Sequence, residues 1–324
     1  MSHDSLTSIS AHRFAVIGGD QRMTHVARRL TEEGYDVYVL GCGEECLPRH
    51  PGKGDLKICT NLSKTTENAD VIVLPLPASR DGETVHCPRD PACVVPLGEL
   101  KHLLDASPGT ILFGGKLPAT VAGSPFSSNR TVDYYRSEIL QLRNAAVTAE
   151  AALMTAMQLT DGTIRGAEVA VIGFGRIGKQ LARLLVALGA EVTVAARREE
   201  VLFEIAAEGY RPQHIRDDAP MMGLSPLTRH IAIVFNTVPA HVLNRELLLS
   251  LETETLLIDL ASAPFGVCDD DVREATRKNG LRYLRAPSLP GSYAPREAGR
   301  IIAECILDML ARREERSEEG GEGS

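Results

Sequence analysis

No run of about 18 consecutive apolar residues occurs in the 324-residue chain, so no membrane-spanning helix is expected. No basic block stands out, which argues against nucleic acid as a partner. The first ten residues lack the charged start and long apolar core of a secretory signal, and the expected location is cytoplasmic. Seven cysteines at irregular spacings fit reduced thiols in that compartment. Cys42, Cys46, His50, Cys59, His86 and Cys87 are metal-ligating types, but their spacing matches no zinc template, and no metal is expected.

What is present describes an ordinary globular protein, 44% hydrophobic and 24% charged, long enough for two domains with a core each. Part of the net charge of −8 lies in Glu314 to Gly320, expected as a frayed, solvated end, with a disordered acidic tail over 314–324.

Two alternating strand–helix series run along the chain. The first opens with Phe14-Ala-Val-Ile-Gly-Gly19 and a helical face (Met23, Val26, Ala27, Leu30) stopped at Gly34. Apolar runs follow at Val37 to Leu40, Leu56 to Cys59, Val71 to Leu76 and Thr110 to Gly115, with a last short strand at Thr131 to Tyr135. Such runs broken by helices indicate a parallel sheet. The second series has strands at Val169 to Gly173, Glu191 to Ala195, Tyr210 to Ile215, Ile231 to Phe235, Thr255 to Leu260 and Leu281 to Leu284. Its first helix presents Ile177, Leu181, Leu184, Leu185 and Leu188 and ends at Gly189. Six strands of this kind fit the doubly wound order 3-2-1-4-5-6.

The fold class expected is α/β, two Rossmann-type doubly wound parallel sheets with a cleft between the domains. The first covers 1–144, completed by a C-terminal helix over 295–313 (Ile301, Ile302, Cys305, Ile306, Met309), and the second covers 145–294. The alanine-rich segment Ala145 to Leu159 reads as the connecting helix.

The chemistry concentrates in Val169-Ala-Val-Ile-Gly-Phe-Gly-Arg-Ile-Gly178, a GxGxxG turn between a strand and a helix. Glycines there let the backbone approach a pyrophosphate, and free N–H groups at the helix start hold its charge. Gly173, Phe174, Gly175, Arg176, Ile177 and Gly178 are therefore cofactor candidates. At the end of the second strand an acidic residue would accept the ribose hydroxyls of NAD. This chain reads Val194-Ala-Ala-Arg-Arg198 instead. A 2′-phosphate beside Ala196 could pair with Arg197 and Arg198, which favours NADP; the alternative is two arginines on a solvated helix start. Asn236, Thr237, Val238 and Pro239 end the fourth strand, and Asp259, Leu260 and Ser262 lie at the end of the fifth, where ligands of open sheets bind. Asn236 could equally be only a turn residue.

The segment Leu289 to Gly299 reads as a stiff loop in which Arg296 could bind a carboxylate. In the first domain Gly18-Gly19-Asp20 lacks a third glycine, and Asp20 would oppose a phosphate, so no second nucleotide is expected there. Arg80 and Lys116 are cations suited to an acidic substrate, or ordinary surface residues.

Taken together, Ala15-Val-Ile-Gly-Gly-Asp20, Asn144-Ala-Ala-Val-Thr-Ala-Glu150, the glycine turn, Asn236-Thr-Val-Pro239, Ile258-Asp-Leu-Ala-Ser262 and Ala294-Pro-Arg-Glu-Ala-Gly299 resemble the dipicolinate synthase A-subunit family. The resemblance implies an oxidoreductase of spore formation, on a branch of the lysine pathway. A flavoprotein-like B subunit is the partner it implies. Departures from the family pattern are Val147 for proline, Ala151 for glycine, Ala263-Pro-Phe-Gly266 for a more glycine-rich turn, and Arg296 for lysine.

On that basis NADP would take a hydride from a cyclic dicarboxylate. Lys116, Arg296, Ser292 and Ser262 are the candidates for substrate binding, and Glu150, Thr148 and Tyr293 for proton handling. A homo-oligomer is also expected. Two alternatives remain open, a 2-hydroxyacid-dehydrogenase-like enzyme and a non-catalytic nucleotide-binding regulatory subunit. Enzymes of the first kind place a catalytic histidine late in the second domain, and no histidine follows His241 here.

Overall fold

The computed structural model describes residues 12–43, 53–118, 130–215 and 231–321, with side chains to 316. The chain divides into two compact units, Met1–Gln141 with Pro295–Ser324, and Leu142–Ala294.

In the first unit β1 (Arg13–Ile17), β2 (Asp36–Leu40), β3 (Leu56–Ile58), β4 (Val71–Val73), β5 (Ile111–Gly114) and β6 (Thr131–Asp133) form one parallel sheet in the order 3-2-1-4-5-6. Helix α1 (Gln21–Glu33) buries Met23, Val26, Ala27 and Leu30, the face its spacing predicts. Gly34 stops it at φ 108°, where its N–H reaches the carbonyls of Leu30 and Thr31, a conformation glycine adopts without strain. Helices α2 (Leu62–Thr66) and α3 (Leu97–Ala106) follow. The strand expected up to Tyr135 ends at Asp133. Its carboxylate accepts from the Tyr135 N–H and turns the chain into a short 3₁₀ helix, Tyr134–Arg136.

Helix α4 (Glu138–Leu159) crosses from the first unit, which ends at Gln141, into the second, where it leads into β7 (Glu168–Ile172), α5 (Arg176–Ala187), β8 (Glu191–Ala196), α6 (Glu199–Ala207), β9 (Arg211–His214), β10 (Ile231–Asn236), α7 (Arg245–Ser250), β11 (Leu256–Asp259), α8 (Asp269–Asn279) and β12 (Arg282–Arg285). The sheet reads β12-β11-β10-β7-β8-β9, the same doubly wound order starting from the other edge. Alternate strand residues serve the two faces. Val169, Val171, Val194 and Phe235 pack with Leu181 and Leu185, whereas Ala170, Ile172 and Val234 pack with Leu247, Leu248 and Leu251. Both faces are dry, as a parallel sheet requires, and each fully buried aliphatic chain contributes about 2 kcal/mol.

Two segments differ from the sequence expectation. The part of the expected loop ahead of the C-terminal helix is itself helical: α9 (Leu289–Tyr293) precedes α10 (Pro295–Gly321), which begins at Pro295 as expected. Proline at the first turn of α9 and again at the start of α10 presets helical φ where no N–H is needed. The acidic stretch from Glu314, expected as frayed, continues α10 instead. Ala311, the arginines and the glutamates are strong helix formers, and Glu314 is held by the His12 ring at 2.6 Å. Helix α10 belongs to the first unit. Ile301, Ile302 and Ile306 are buried, and a Cβ on Gly299 would lie 2.5 Å from the Arg22 carbonyl of α1, so the two helices touch backbone to backbone.

Candidate functional site

The end of β7 carries the glycine turn, and its three glycines are glycine for different reasons. Gly173 has φ 98°, and a Cβ there would meet the Thr237 Oγ1 at 2.5 Å. Gly178 is buried in the first turn of α5, where a Cβ would lie 2.0 Å from the Gly173 carbonyl. These two let strand, turn and helix pack. Gly175 needs neither reason. Its φ is −86° and a Cβ there would find nothing within 4 Å, so the protein itself does not require a glycine. It stands at the N-cap of α5 and, having no side chain, makes no cap hydrogen bond to the start of the helix. A bare helix start beneath open space fits a pyrophosphate that must come against the backbone.

Around this turn Phe174 is buried against Tyr210, ring centroids 5.8 Å apart, and Lys179 stands over its face at 5.0 Å. Arg176 is exposed and Ile177 half-buried. Ala196 is buried at the end of β8, and the next two residues, Arg197 and Arg198, are exposed with no ion pair among the described residues. The parallel register sets Ala196 beside His214 of β9, whose Nε2–H donates to the Arg197 carbonyl at 2.9 Å. His214 escapes a sequence reading because only strand pairing brings it to Arg197.

Asn236 and Asp259 sit opposite each other at the ends of β10 and β11, both fully buried. The Asn236 amide donates to Asp259 Oδ1 at 2.8 Å and to the Val238 carbonyl at 3.0 Å, while its oxygen accepts from the Val238 N–H. Asp259 also accepts from the N–H groups of Ala261 and Gly266. Their polar groups are thus used within the unit, which leaves backbone, the exposed Pro239 and half-buried Thr237 and Val238 to face a ligand. Thr237 Oγ1 donates to the Ile172 carbonyl and ties this loop to β7. Leu260 is buried, its N–H on the Asn236 carbonyl, and Ser262 is exposed in the turn closed by the Phe265 N–H.

The remaining candidates divide between the units. Thr148, Glu150, Ser262, Ser292 and Tyr293 belong to the second, Lys116 and Arg296 to the first. Thr148 is buried and its hydroxyl donates to the Asn144 carbonyl one helical turn back. Glu150, Tyr293 and Arg296 are exposed, and Ser292 Oγ donates to the Leu289 carbonyl. Lys116 takes a left-handed φ of 50°, its N–H on the Asp133 carboxylate and its ammonium 4.9 Å from the Tyr135 ring centroid.

The corresponding corner of the first unit is filled by its own chain. The Gly19 N–H donates to the His86 carbonyl at 2.7 Å, and Val85 and Cys87 occupy the space a Cβ on Gly18 would need. Asp20 caps α1 and is gripped by the Arg22 guanidinium at 2.8 to 3.1 Å. Burial alone would raise the Asp20 carboxyl, but the hydrogen bonds and charge of Arg22 outweigh it and hold the carboxyl below its usual range. Of the thiols and imidazoles considered as metal ligands, Cys46 and His50 lie outside the described residues. Among those described, no group of three or more acidic, cysteine or histidine side chains is arranged to hold a metal.

Comparison with known proteins agrees with this anatomy. Residues 13–124 match the N-terminal domain of the dipicolinate synthase A subunit, and residues 137–282 the NAD-binding domain of D-isomer-specific 2-hydroxyacid dehydrogenases. Fold and match together define the class, an oxidoreductase of dehydrogenase type whose second unit binds a nicotinamide dinucleotide. The dipicolinate synthase A subunit of Bacillus subtilis (strain 168) is 35% identical over 311 residues, 95% of this chain and 98% of that protein. The crystal structure of the A chain from Bacillus subtilis superposes with a TM-score of 0.79 at 32% identity, over 96% of this chain and 100% of the other. That of the Bacillus halodurans A subunit gives 0.75 at 30%, over 93% and 98%. The chain belongs to the dipicolinate synthase A-subunit family. No described helix is long and apolar enough to cross a membrane.

Proposed function

We propose that the chain is an NADP-dependent dehydrogenase that oxidises dihydrodipicolinate, derived from 4-hydroxy-tetrahydrodipicolinate, to dipicolinate in the cytoplasm of a sporulating cell. The observation that carries the reading is the open space over Gly175 at a helix start with no side-chain cap, within a glycine turn whose other two members are needed for packing. The choice of NADP rests on Arg197 and Arg198, two exposed cations where an NAD enzyme would present a carboxylate. Bound NADP⁺ supplies the hydride acceptor, and aromatisation of the ring supplies much of the driving force.

The protein's own task is then to orient the ring and its two carboxylates. Lys116 and Arg296 bring positive charge, and Ser262 and Ser292 bring hydroxyls. Glu150 and Tyr293, both exposed, are the candidates for carrying a proton. Thr148 offers only oxygen lone pairs, because its proton is on the Asn144 carbonyl. The relatives are named as the A subunit of a synthase, so a second subunit is the partner expected for this chain. The 2-hydroxyacid dehydrogenase alternative is disfavoured. The last histidine, His241, donates to the Pro264 carbonyl at 3.1 Å, and none follows it.

The test is to mix the chain with NADP⁺ and freshly made product of the lysine-pathway synthase, with the B subunit present or left out. Nicotinamide reduction and pyridine-dicarboxylate absorbance are followed together. Dipicolinate formed in step with NADPH supports the reading, in either condition. A chain that binds NADP⁺ and gives no dipicolinate under both conditions is the regulatory subunit of the alternative.

A further inference from the structure

The segment over the β1–α1 turn of the first unit carries two cysteines, Cys87 and Cys93, that the proposed reaction does not use. Two successive turns fold the chain back between them: the Asp90 N–H reaches the Cys87 carbonyl at 3.3 Å, and the Cys93 N–H reaches the Asp90 carbonyl at 3.0 Å. Both sulfurs converge on one point. A Cβ built on Gly41 would lie 2.9 Å from Cys93 Sγ and 3.4 Å from Cys87 Sγ, so the two thiols border one small space. The third thiol of this corner, Cys42, is turned away, its S–H on the Gly18 carbonyl at 3.1 Å. Cys87 and Cys93 are both half-buried and both line a cavity of about 240 Å³, together with Arg80, His86, Pro88 and Val94. Reagents the size of a peroxide can therefore reach the pair.

We propose that Cys87 and Cys93 form a dithiol site that closes reversibly to a disulfide when a peroxide oxidises it. The thiolate of Cys93 attacks one peroxide oxygen, giving a sulfenic acid and hydroxide. The Cys87 thiol then displaces that oxygen as water, and the S–S bond forms. The dithiol loses two electrons and the peroxide gains them. The order of attack follows from the surroundings: burial pushes the Cys87 thiol up to about 12, whereas at Cys93 burial and the Asp90 carboxylate also raise the thiol but the neighbouring Cys87 partly offsets them. Cys93 is thus the entering sulfur and Cys87 the resolving one. Closure would join the two ends of the 87–93 segment, one residue beyond the His86 carbonyl that holds the Gly19 N–H.

The folded chain is treated with hydrogen peroxide, blocked with an alkylating agent and digested with trypsin. The expected result is that the peptides 81–89 and 90–101 run as one species, lighter by two hydrogens, which dithiothreitol separates. Cys87→Ser leaves a sulfenic acid on Cys93 that dimedone traps, and Cys93→Ser leaves far less on Cys87. A second measurement needs no variant. Phenylarsine oxide, which condenses with two close thiols and releases water, bridges the same two peptides at one arsenic per chain. Separate over-oxidation of the two cysteines, or arsenic on neither, overturns the proposal.

Discussion

The Asn236 side-chain amide and the Asp259 carboxylate meet across 2.8 Å at paired positions of β10 and β11, both fully buried. The same carboxylate receives the N–H groups of Ala261 and Gly266, so one acidic residue fixes both loops at the end of the sheet. Asp259→Ala removes the acceptor of four donors, those of Asn236, Ala261, Gly266 and the Tyr283 hydroxyl, and lowers stability by about 3 kcal/mol, read from the urea midpoint. Asp259→Asn falls between wild type and the alanine variant, because it keeps an oxygen and loses the charge.

The glycine turn separates folding from binding. Gly175→Ala leaves the stability of the free protein within about 0.5 kcal/mol, since its φ is ordinary and its surroundings are empty. Dinucleotide affinity should fall at least about tenfold in the same variant, because a methyl group stands where the pyrophosphate must approach. Gly178→Ala does the opposite first: it drives a Cβ into the Gly173 carbonyl and costs about 3 kcal/mol of stability before any ligand is added. Thermal midpoints and cofactor titrations on both variants check the pair.

The two arginines after β8 are expected to act on one cofactor only. Arg197→Ala weakens NADP⁺ binding about tenfold to a hundredfold, the worth of a charge-assisted phosphate contact, and leaves NAD⁺ binding unchanged. Equal loss for both dinucleotides would mean that the arginine shapes the loop and does not read the phosphate.

Most of the fold is legible in the sequence because its signals are local. Apolar strands and the 3.6-residue face of α1 appear in the order of the chain, and the doubly wound topology follows from their alternation. The site is legible at its glycines for the same reason. What escapes depends on pairing or on the fate of polar groups. His214 meets Arg197 only through the β8–β9 register. Asn236 and Asp259 carry polar groups suited to a ligand, and only three dimensions show that they satisfy each other. The helical nature of Leu289 to Tyr293 is masked by Pro290 and Gly291, residue types that mark loops more often than helix starts.

Acid should loosen the first unit through Asp20. Its carboxyl is held below the usual range, so its contribution to stability is fully present above about pH 4 and is lost as pH falls through the lowered value. Asp20→Asn removes the partner of a nearly buried guanidinium and lowers stability by about 2 kcal/mol at neutral pH. Comparing urea midpoints of wild type and variant from about pH 7 down to about pH 3 should show the gap closing only in the acid limb.

Two expectations meet at the end of β7 and β8: the turn from Gly173 to Gly178 holds a dinucleotide, and the cations after β8 choose the phosphorylated one. Calorimetric titration of the unmodified chain with NADP⁺ and, separately, NAD⁺ decides both. The expected outcome is binding of NADP⁺ at one site per chain, at least about tenfold tighter than NAD⁺. Equal or tighter binding of NAD⁺ would overturn the cofactor choice, and binding of neither would overturn the site itself.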